Sequence, residues 1–316
     1  MQPRVRVIFM GSPAFAVPSL LALLADERRY EVVGVVAQPD KPAGRGQRLT
    51  PAEVKVAAAA RGVQVLTPVK MKAEETRAAL AALSPDLVVV AAYGRILPPS
   101  LLALPRFGCI NVHASLLPRH RGASPIAHAI LEGDRESGVA LMRMDEGLDT
   151  GPVYVQRALP IAAADTAGTL SVKLAELGAT LLCDALPDIL RGALAPTPQT
   201  GIATYAPLLD KQDGRLDFSL SAAALERRVR AMQPWPGAFA CRGQVRVQVL
   251  SAAVEPGRAG EPGTVLEAGK RGLVVACGED SLLILELKPA GKAAMPASAF
   301  VAGRQVVLGD RFDPVI

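Results

Sequence analysis

Residues 108–118 read Gly108-Cys109-Ile110-Asn111-Val112-His113-Ala114-Ser115-Leu116-Leu117-Pro118. Gly108-Cys109-Ile110 is a short apolar strand, and Asn111 and His113 fall where it ends. In an open parallel sheet, ligands sit beyond the carboxyl ends of the strands. Residues two apart on a continuing strand project to one face, so the amide and the imidazole share a side. That pair suits stabilising an oxyanion and moving a proton. Taken singly, each residue also fits a loop amide or an exposed histidine. The stretches around them decide between these readings.

Upstream, Arg4 to Met10 alternates, with Val5, Val7 and Phe9 on one side, and Gly11-Ser12-Pro13 ends it. Pro18 to Ala25 reads as a helix with Leu20, Leu21, Leu23 and Leu24 as its apolar face. Glu31 to Ala37 is a Val-rich strand, and 63–66 is a short one between helices at 52–61 and 73–83. Pro85 to Ala92 is a central strand that ends in Tyr93-Gly94-Arg95-Ile96-Leu97-Pro98. Strands alternating with helices predict an α/β fold with a doubly wound parallel sheet. Right-handed crossovers would gather these loops on one rim with 111–118. The single glycine after the first strand lacks the three-glycine dinucleotide fingerprint, which disfavours nicotinamide and flavin.

Downstream, a helix at 126–132 and a strand at 138–144 lead to the turn Asp145-Glu146-Gly147-Leu148-Asp149-Thr150-Gly151-Pro152. A strand at 153–159 and a long helix at 166–190 follow. Asp149 lies between two glycines. It fits a turn-capping aspartate and equally a carboxylate reaching into a site without crowding. Residues 191–207 are rich in Pro, Thr, Gly and Ala and read as a linker. Beyond them, Ala222 to Ala231 predicts a basic amphipathic helix bearing Arg227, Arg228 and Arg230. Short strands split by glycines follow, the pattern of a small β-barrel. The expected organisation is a catalytic domain over 1–190, a linker over 191–207 and a barrel domain over 208–316. Such a barrel serves nucleic acid binding or only dimerisation and stability.

The loop 38–51 holds three prolines, two glycines and the cations Lys41, Arg45 and Arg48. It fits a solvated surface loop, or a basic finger that orders on a phosphate-bearing partner. The net charge of the 316-residue chain is only +5, so any polyanion site must be a local patch. Cys109, Cys183, Cys241 and Cys277 make no metal-ligand or redox spacing. They read as free thiols of a reducing cytoplasm, with no metal expected. No apolar run reaches the length of a membrane span, the first residues lack a signal-peptide pattern, and nothing demands more than a monomer. The rim then offers an amide, an imidazole and a carboxylate, without a serine-nucleophile motif, a metal cluster or a P-loop. That leaves acid–base-assisted attack on a carbonyl by a nucleophile the substrate brings. One-carbon or acyl transfer to an amine fits, because an α-amino group has a pKa near ~8 and is partly neutral at working pH.

The run Asn111 to Pro118 together with the Asp149 loop resembles the folate-dependent formyltransferase family. Pro39 to Gly46, Gly214-Arg215-Leu216-Asp217 and Pro234-Trp235-Pro236-Gly237 match the branch that acts on tRNA. The resemblance implies a Rossmann-like domain for 10-formyltetrahydrofolate and an OB-like C-terminal β-barrel that helps hold tRNA. It implies a folate pocket shaped by Ser115, Leu116, Leu117 and Pro118, with Ile96 and Leu97 beside them. Asn111 would donate to the formyl oxygen, His113 would polarise that oxygen or shuttle a proton, and Asp149 would orient His113 and accept a proton. The acceptor would be the α-amine of methionyl initiator tRNA. Lys41, Arg45, Arg48 and Lys211 would contact that tRNA, Arg45 foremost. Family members carry an indole where this chain has His120 and Phe218, and both are expected to serve packing. Two alternatives share much of this pattern: formyl transfer to an amino sugar nucleotide, and non-catalytic binding of tRNA or folate.

Overall fold

The computed structural model describes residues 3–43, 48–243 and 245–315. Its first elements are Val5–Gly11 (β1), Val17–Ala25 (α1) and Tyr30–Val36 (β2). Then come Lys41–Ala43 (β3), Arg48–Thr50 (β4), Glu53–Ala59 (α2), Val65–Leu66 (β5), Glu74–Ala82 (α3) and Leu87–Ala91 (β6). Pro99–Leu102 (α4), Cys109–His113 (β7), Arg121–Gly122 (β8), Pro125–Leu131 (α5), Glu136–Arg143 (β9), Val153–Pro160 (β10), Ala167–Leu190 (α6) and Tyr205–Ala206 (β11) complete the N-terminal two thirds.

The main sheet runs β10-β9-β7-β6-β1-β2-β5. Its centre is buried on both faces, which is why its strands read as unbroken apolar runs rather than alternating ones. Every residue of β6 is buried, as are Val7 to Met10 of β1. One core layer gathers Ile8, Met10, Val36, Val88, Val90, Tyr93, Leu97 and Leu101. The chain leaves β1 in one direction toward β2 and β5, then returns to add β6 and β7 on the other side. Such a reversal of strand order opens a crevice at the carboxyl ends.

The pairs β1–β2, β1–β6, β2–β5 and β6–β7 are parallel, but β7–β9 and β9–β10 are antiparallel. The doubly wound parallel sheet expected from the strand–helix alternation is present, extended at one edge by antiparallel pairs. At the edge, β9 and β10 are joined by the short 145–152 turn, too short for the crossover of a dozen or more residues that parallel strands need. Within the loop predicted at 38–51, β3 and β4 pair antiparallel as a small ribbon. Lys55 Nζ of α2 ties its root through both oxygens of Asp40 at 2.8 Å. An exposed ribbon held by main-chain bonds needs no apolar alternation, so its residues carry no strand signal. Residues 191–207 do not hang free. Thr197 and Val153 exchange main-chain bonds at 2.9 and 2.8 Å, and β11 pairs in parallel with β8.

Two compact units result. One comprises Met1–Pro125, Glu136–Pro160 and Ser171–Pro207; the other comprises Ile126–Arg135, Ile161–Leu170 and Leu208–Ile316. The second unit is built on Ala222–Ala231 (α7), Phe239–Arg242 (β12), Val245–Glu255 (β13), Val265–Gly269 (β14), Gly272–Ala276 (β15), Ser281–Pro289 (β16), Met295–Pro296 (β17) and Ala297–Ala302 (α8). Its antiparallel sheet runs β12-β13-β16-β15-β14, with β17 added on β16. Among the described residues no pairing joins β12 to β14, so the OB-like sheet is not closed by a strand ladder.

Ser221 caps α7, its hydroxyl accepting from Ala224 N at 3.2 Å. Ala222, Leu225 and Val229 form the buried stripe of that helix. Phe218 is buried and stacks on Phe312 with ring centroids 5.5 Å apart, so it does serve packing. No helix of the described residues is long and apolar enough to cross a membrane.

Candidate active site

β7 carries both Asn111 and His113, so the strand runs through the two residues that the sequence placed just past its end. Parallel pairing to β6 on one side and antiparallel pairing to β9 on the other fix its path. The His113 ring is buried, with 6% of its side chain exposed, and Asn111 is half-buried. From the turn after β9, the Asp149 carboxylate comes to meet them. Its Oδ1 lies 3.7 Å from His113 Nδ1 and accepts from Asn111 Nδ2 at 3.4 Å. Its Oδ2 accepts from Gly122 N at 2.8 Å. The three predicted catalytic residues therefore converge.

Asp149 sits at φ 53°, a left-handed conformation that aspartate tolerates better than most residues. Asp145 shapes the turn from inside, its Oδ1 accepting from Gly147 N at 3.0 Å and Thr150 Oγ1 at 2.7 Å. Gly122 has φ 120°, and a Cβ there would stand 2.6 Å from Ala206 O. Only glycine lets β8 lie against β11 and still aim its N–H at the carboxylate.

His113 Nε2 lies 3.1 Å from His120 O. A carbonyl only accepts, so this nitrogen carries the proton, and in the neutral ring Nδ1 is the free base facing Asp149. His120 is buried at φ 56°, and its N–H donates to Thr204 Oγ1 at 2.9 Å. What His120 gives the site is thus its main chain.

The Ser115–Pro118 stretch is folded tightly beside this trio. Ser115 is buried and its hydroxyl donates to Arg119 O at 2.7 Å. Gln156 Nε2 donates to Leu117 O at 3.0 Å, and Leu117 packs with Ala140, Met142 and Val153. Leu116 lies over Gly138, where a Cβ would meet its Cδ2 at 2.4 Å. Leu97 is 3% exposed and belongs to the core layer, whereas Ile96 is 75% exposed, so these two neighbours do not face one pocket.

Of the predicted tRNA contacts, Arg45 and the side chains of Lys41 and Arg48 lie outside the described residues, and Lys211 is exposed. The three arginines of α7 have other work. Arg227 Nε donates to Leu131 O at 3.0 Å, Arg228 to Asp213 O at 2.7 Å, and Arg230 to Asp165 O at 3.0 Å and to Glu226. They tie carbonyls within the second unit.

Gln199 was not foreseen. Its Nε2 donates to Asp149 O and to Gly151 O, each at 2.8 Å, while Oε1 accepts from Arg121 at 2.7 Å. Thr204 was missed as well. The described residues hold no cluster of three or more His, Cys, Asp or Glu arranged for a metal ion. Cys109, beside Asn111, is buried, and burial pushes its thiol up to about 12, so it stays protonated at neutral pH.

An amide donor, a base of defined tautomer and a carboxylate at the rim of a mixed α/β sheet define a site for group transfer at a carbonyl. Comparison with known proteins narrows that class. Residues 4–186 match the formyl transferase family model, and residues 208–305 match its C-terminal domain. The chain belongs to the formyl transferase family. A methionyl-tRNA formyltransferase of Myxococcus xanthus is 50% identical over 309 residues, 98% of each chain. That of Halorhodospira halophila is 50% identical over 308 residues, 96% of this chain and 98% of the relative. Among solved structures, HypX from Aquifex aeolicus in complex with tetrahydrofolic acid superposes with a TM-score of 0.64 at 21% identity. That match covers 99% of this chain and 49% of that one, and it bears on the fold alone.

Proposed function

We propose that this enzyme transfers the formyl group of 10-formyltetrahydrofolate to the free α-amino group of methionyl initiator tRNA, for translation initiation. The observation that carries the reading is the convergence of Asn111, His113 and Asp149 on one rim, in a chain half identical along its length to methionyl-tRNA formyltransferases.

The donor set fits a formyl carbonyl. Asn111 has two amide hydrogens, and Asp149 engages one; the other is available to an oxygen acquiring negative charge. 10-Formyltetrahydrofolate supplies the formyl group. A neutral α-amine attacks the formyl carbon, the bond from that carbon to N10 breaks, one proton leaves the amine and one proton ends on N10. His113 Nδ1 is the base for the first transfer, because Nε2 is committed to His120 O. Once protonated, Nδ1 faces the Asp149 carboxylate, which stabilises the imidazolium and can take the proton on, directly or through water. Ser115, Leu116, Leu117 and Pro118 shape the folate side with the exposed Ile96, while Leu97 supports that wall from the core.

The catalytic domain is 1–190 and the tRNA-holding domain is 208–316, with 191–207 joining them. Lys41, Arg45, Arg48 and Lys211 contact the tRNA backbone; the Asp40–Lys55 pair fixes the root from which that basic loop projects. The acting unit is a single chain of the reducing cytoplasm. Its four cysteines make no metal-ligand or redox spacing, which fits that compartment.

Formyl transfer is to be measured with charged initiator tRNA, charged elongator tRNA and an amino sugar nucleotide offered in parallel. Transfer to charged initiator tRNA alone is expected. Transfer to the sugar nucleotide would keep the trio and overturn the assignment of the basic loop and the C-terminal domain.

A further inference from the structure

The segment from Thr197 to Ala206 lies within the first unit and holds main chain on both sides of the trio. Gln199 bridges two carbonyls on either side of Thr150, Asp149 O and Gly151 O. Its amide cannot be turned round. Oε1 faces the Arg121 guanidinium, which only donates, at 3.2 and 2.7 Å, and Nε2 faces carbonyls, which only accept. This bond pattern holds Asp149 in its left-handed conformation, the strained point of the turn.

Thr204 holds the other half. Its hydroxyl accepts from His120 N, its carbonyl accepts from Arg121 N at 2.9 Å, and its N–H donates to Pro118 O at 3.3 Å. His120 is thereby fixed at φ 56° with its carbonyl aimed at His113 Nε2. Two residues on, Ala206 pairs with Gly122, whose N–H reaches Asp149 Oδ2.

We propose that Gln199 and Thr204 are positioning residues for formyl transfer, Gln199 setting the Asp149 turn and Thr204 setting the His113 tautomer through the His120 carbonyl. The inference rests on the roles given above to His113 and Asp149. Residues 197–206 are then part of the active site's frame, and a change in them reaches the chemistry without touching substrate. Misplacement by about 1 Å from a mutation away from the chemistry can cost about 100-fold.

The test uses the full chain and four variants, Gln199→Ala, Gln199→Glu, Thr204→Val and Thr204→Ser. Gln199→Glu keeps the partner for Arg121 and puts an anion against two carbonyls. Thr204→Val keeps the shape and removes the acceptor for His120 N, and Thr204→Ser restores it. In steady-state formyl transfer to charged initiator tRNA, the two Gln199 variants and Thr204→Val are expected to lose roughly 10- to 100-fold in kcat. KM for both substrates should stay within about twofold, and Thr204→Ser should stay near wild type.

A second readout is independent of turnover. ¹⁵N shifts of the labelled histidines, three in this chain, report which ring nitrogen carries the proton. Wild type should show His113 protonated at Nε2 when neutral, and Thr204→Val should show a mixture of tautomers. If wild type transfers no formyl to tRNA but the tautomer shifts as stated, the functional reading fails and the positioning role stands. Variants that only melt earlier, with kcat and tautomer unchanged, would overturn the inference, as would Thr204→Ser behaving like Thr204→Val.

Discussion

At Asp149, charge and shape can be separated by one substitution. Asparagine tolerates the left-handed φ of 53° and keeps an oxygen for the Gly122 N–H. With that oxygen kept on Gly122, what Asp149→Asn removes is the negative charge 3.7 Å from His113 Nδ1 and the acceptor for Asn111 Nδ2. If that charge stabilises the imidazolium formed during transfer, kcat should fall by about 10²- to 10⁴-fold, the usual worth of acid–base assistance. The melting temperature should barely move. Single-turnover transfer with saturating tRNA checks this, and a loss under threefold would take Asp149 out of the proton path. At this scale the sequence was informative where side chains form the proposed site. Asn111 and His113 were visible through their spacing on a strand end, and Asp149 through its flanking glycines. The His120 carbonyl, the Gly122 N–H and Thr204, which accepts from His120 N, were not visible. A main-chain group is the same in every residue, so its role leaves no mark in residue type.

Elements carried a second kind of signal. Strands buried on both faces, such as β6, and the stripe of α7 were legible because burial dictates composition and period. The ribbon of β8 and β11 was not, since two residues on each side show no period. It is nonetheless the element that links the 191–207 segment to the carboxylate. Gly122→Ala tests it. The added Cβ would stand 2.6 Å from Ala206 O at a φ of 120°, so the ribbon must open or strain by about 1–3 kcal/mol. We expect a lower urea midpoint together with reduced kcat, because the N–H on Asp149 Oδ2 shifts with the strand. Normal kcat at full stability would mean that β8 does not place Asp149. The arginines of α7 teach the same limit: their basic face was readable, while their destination on backbone carbonyls depended on which chain ends the fold brought near.

Across the whole molecule, both units bury weak acids that have no catalytic part. Burial pushes Cys109 and Tyr30 up to about 12 in the first unit and Cys277 up to about 11 in the second, from ordinary values of 9.0 and 10.0. In each case the folded state holds its proton more tightly than the unfolded chain does. Below about pH 8 both states are protonated and these groups leave stability unchanged with pH. Between about 9 and 12 the unfolded chain releases protons that the folded chain keeps, so stability falls as pH rises. Urea midpoints measured at pH 8 and at rising alkaline pH should therefore decline. Cys109→Ala separates this cause from general charge repulsion. It lowers stability at every pH by emptying a packed position, but it removes one of the linked protons. Its midpoint should accordingly fall less steeply than wild type between pH 9 and 11. Parallel curves for the two proteins would place the alkaline loss elsewhere than in the thiol behind Asn111.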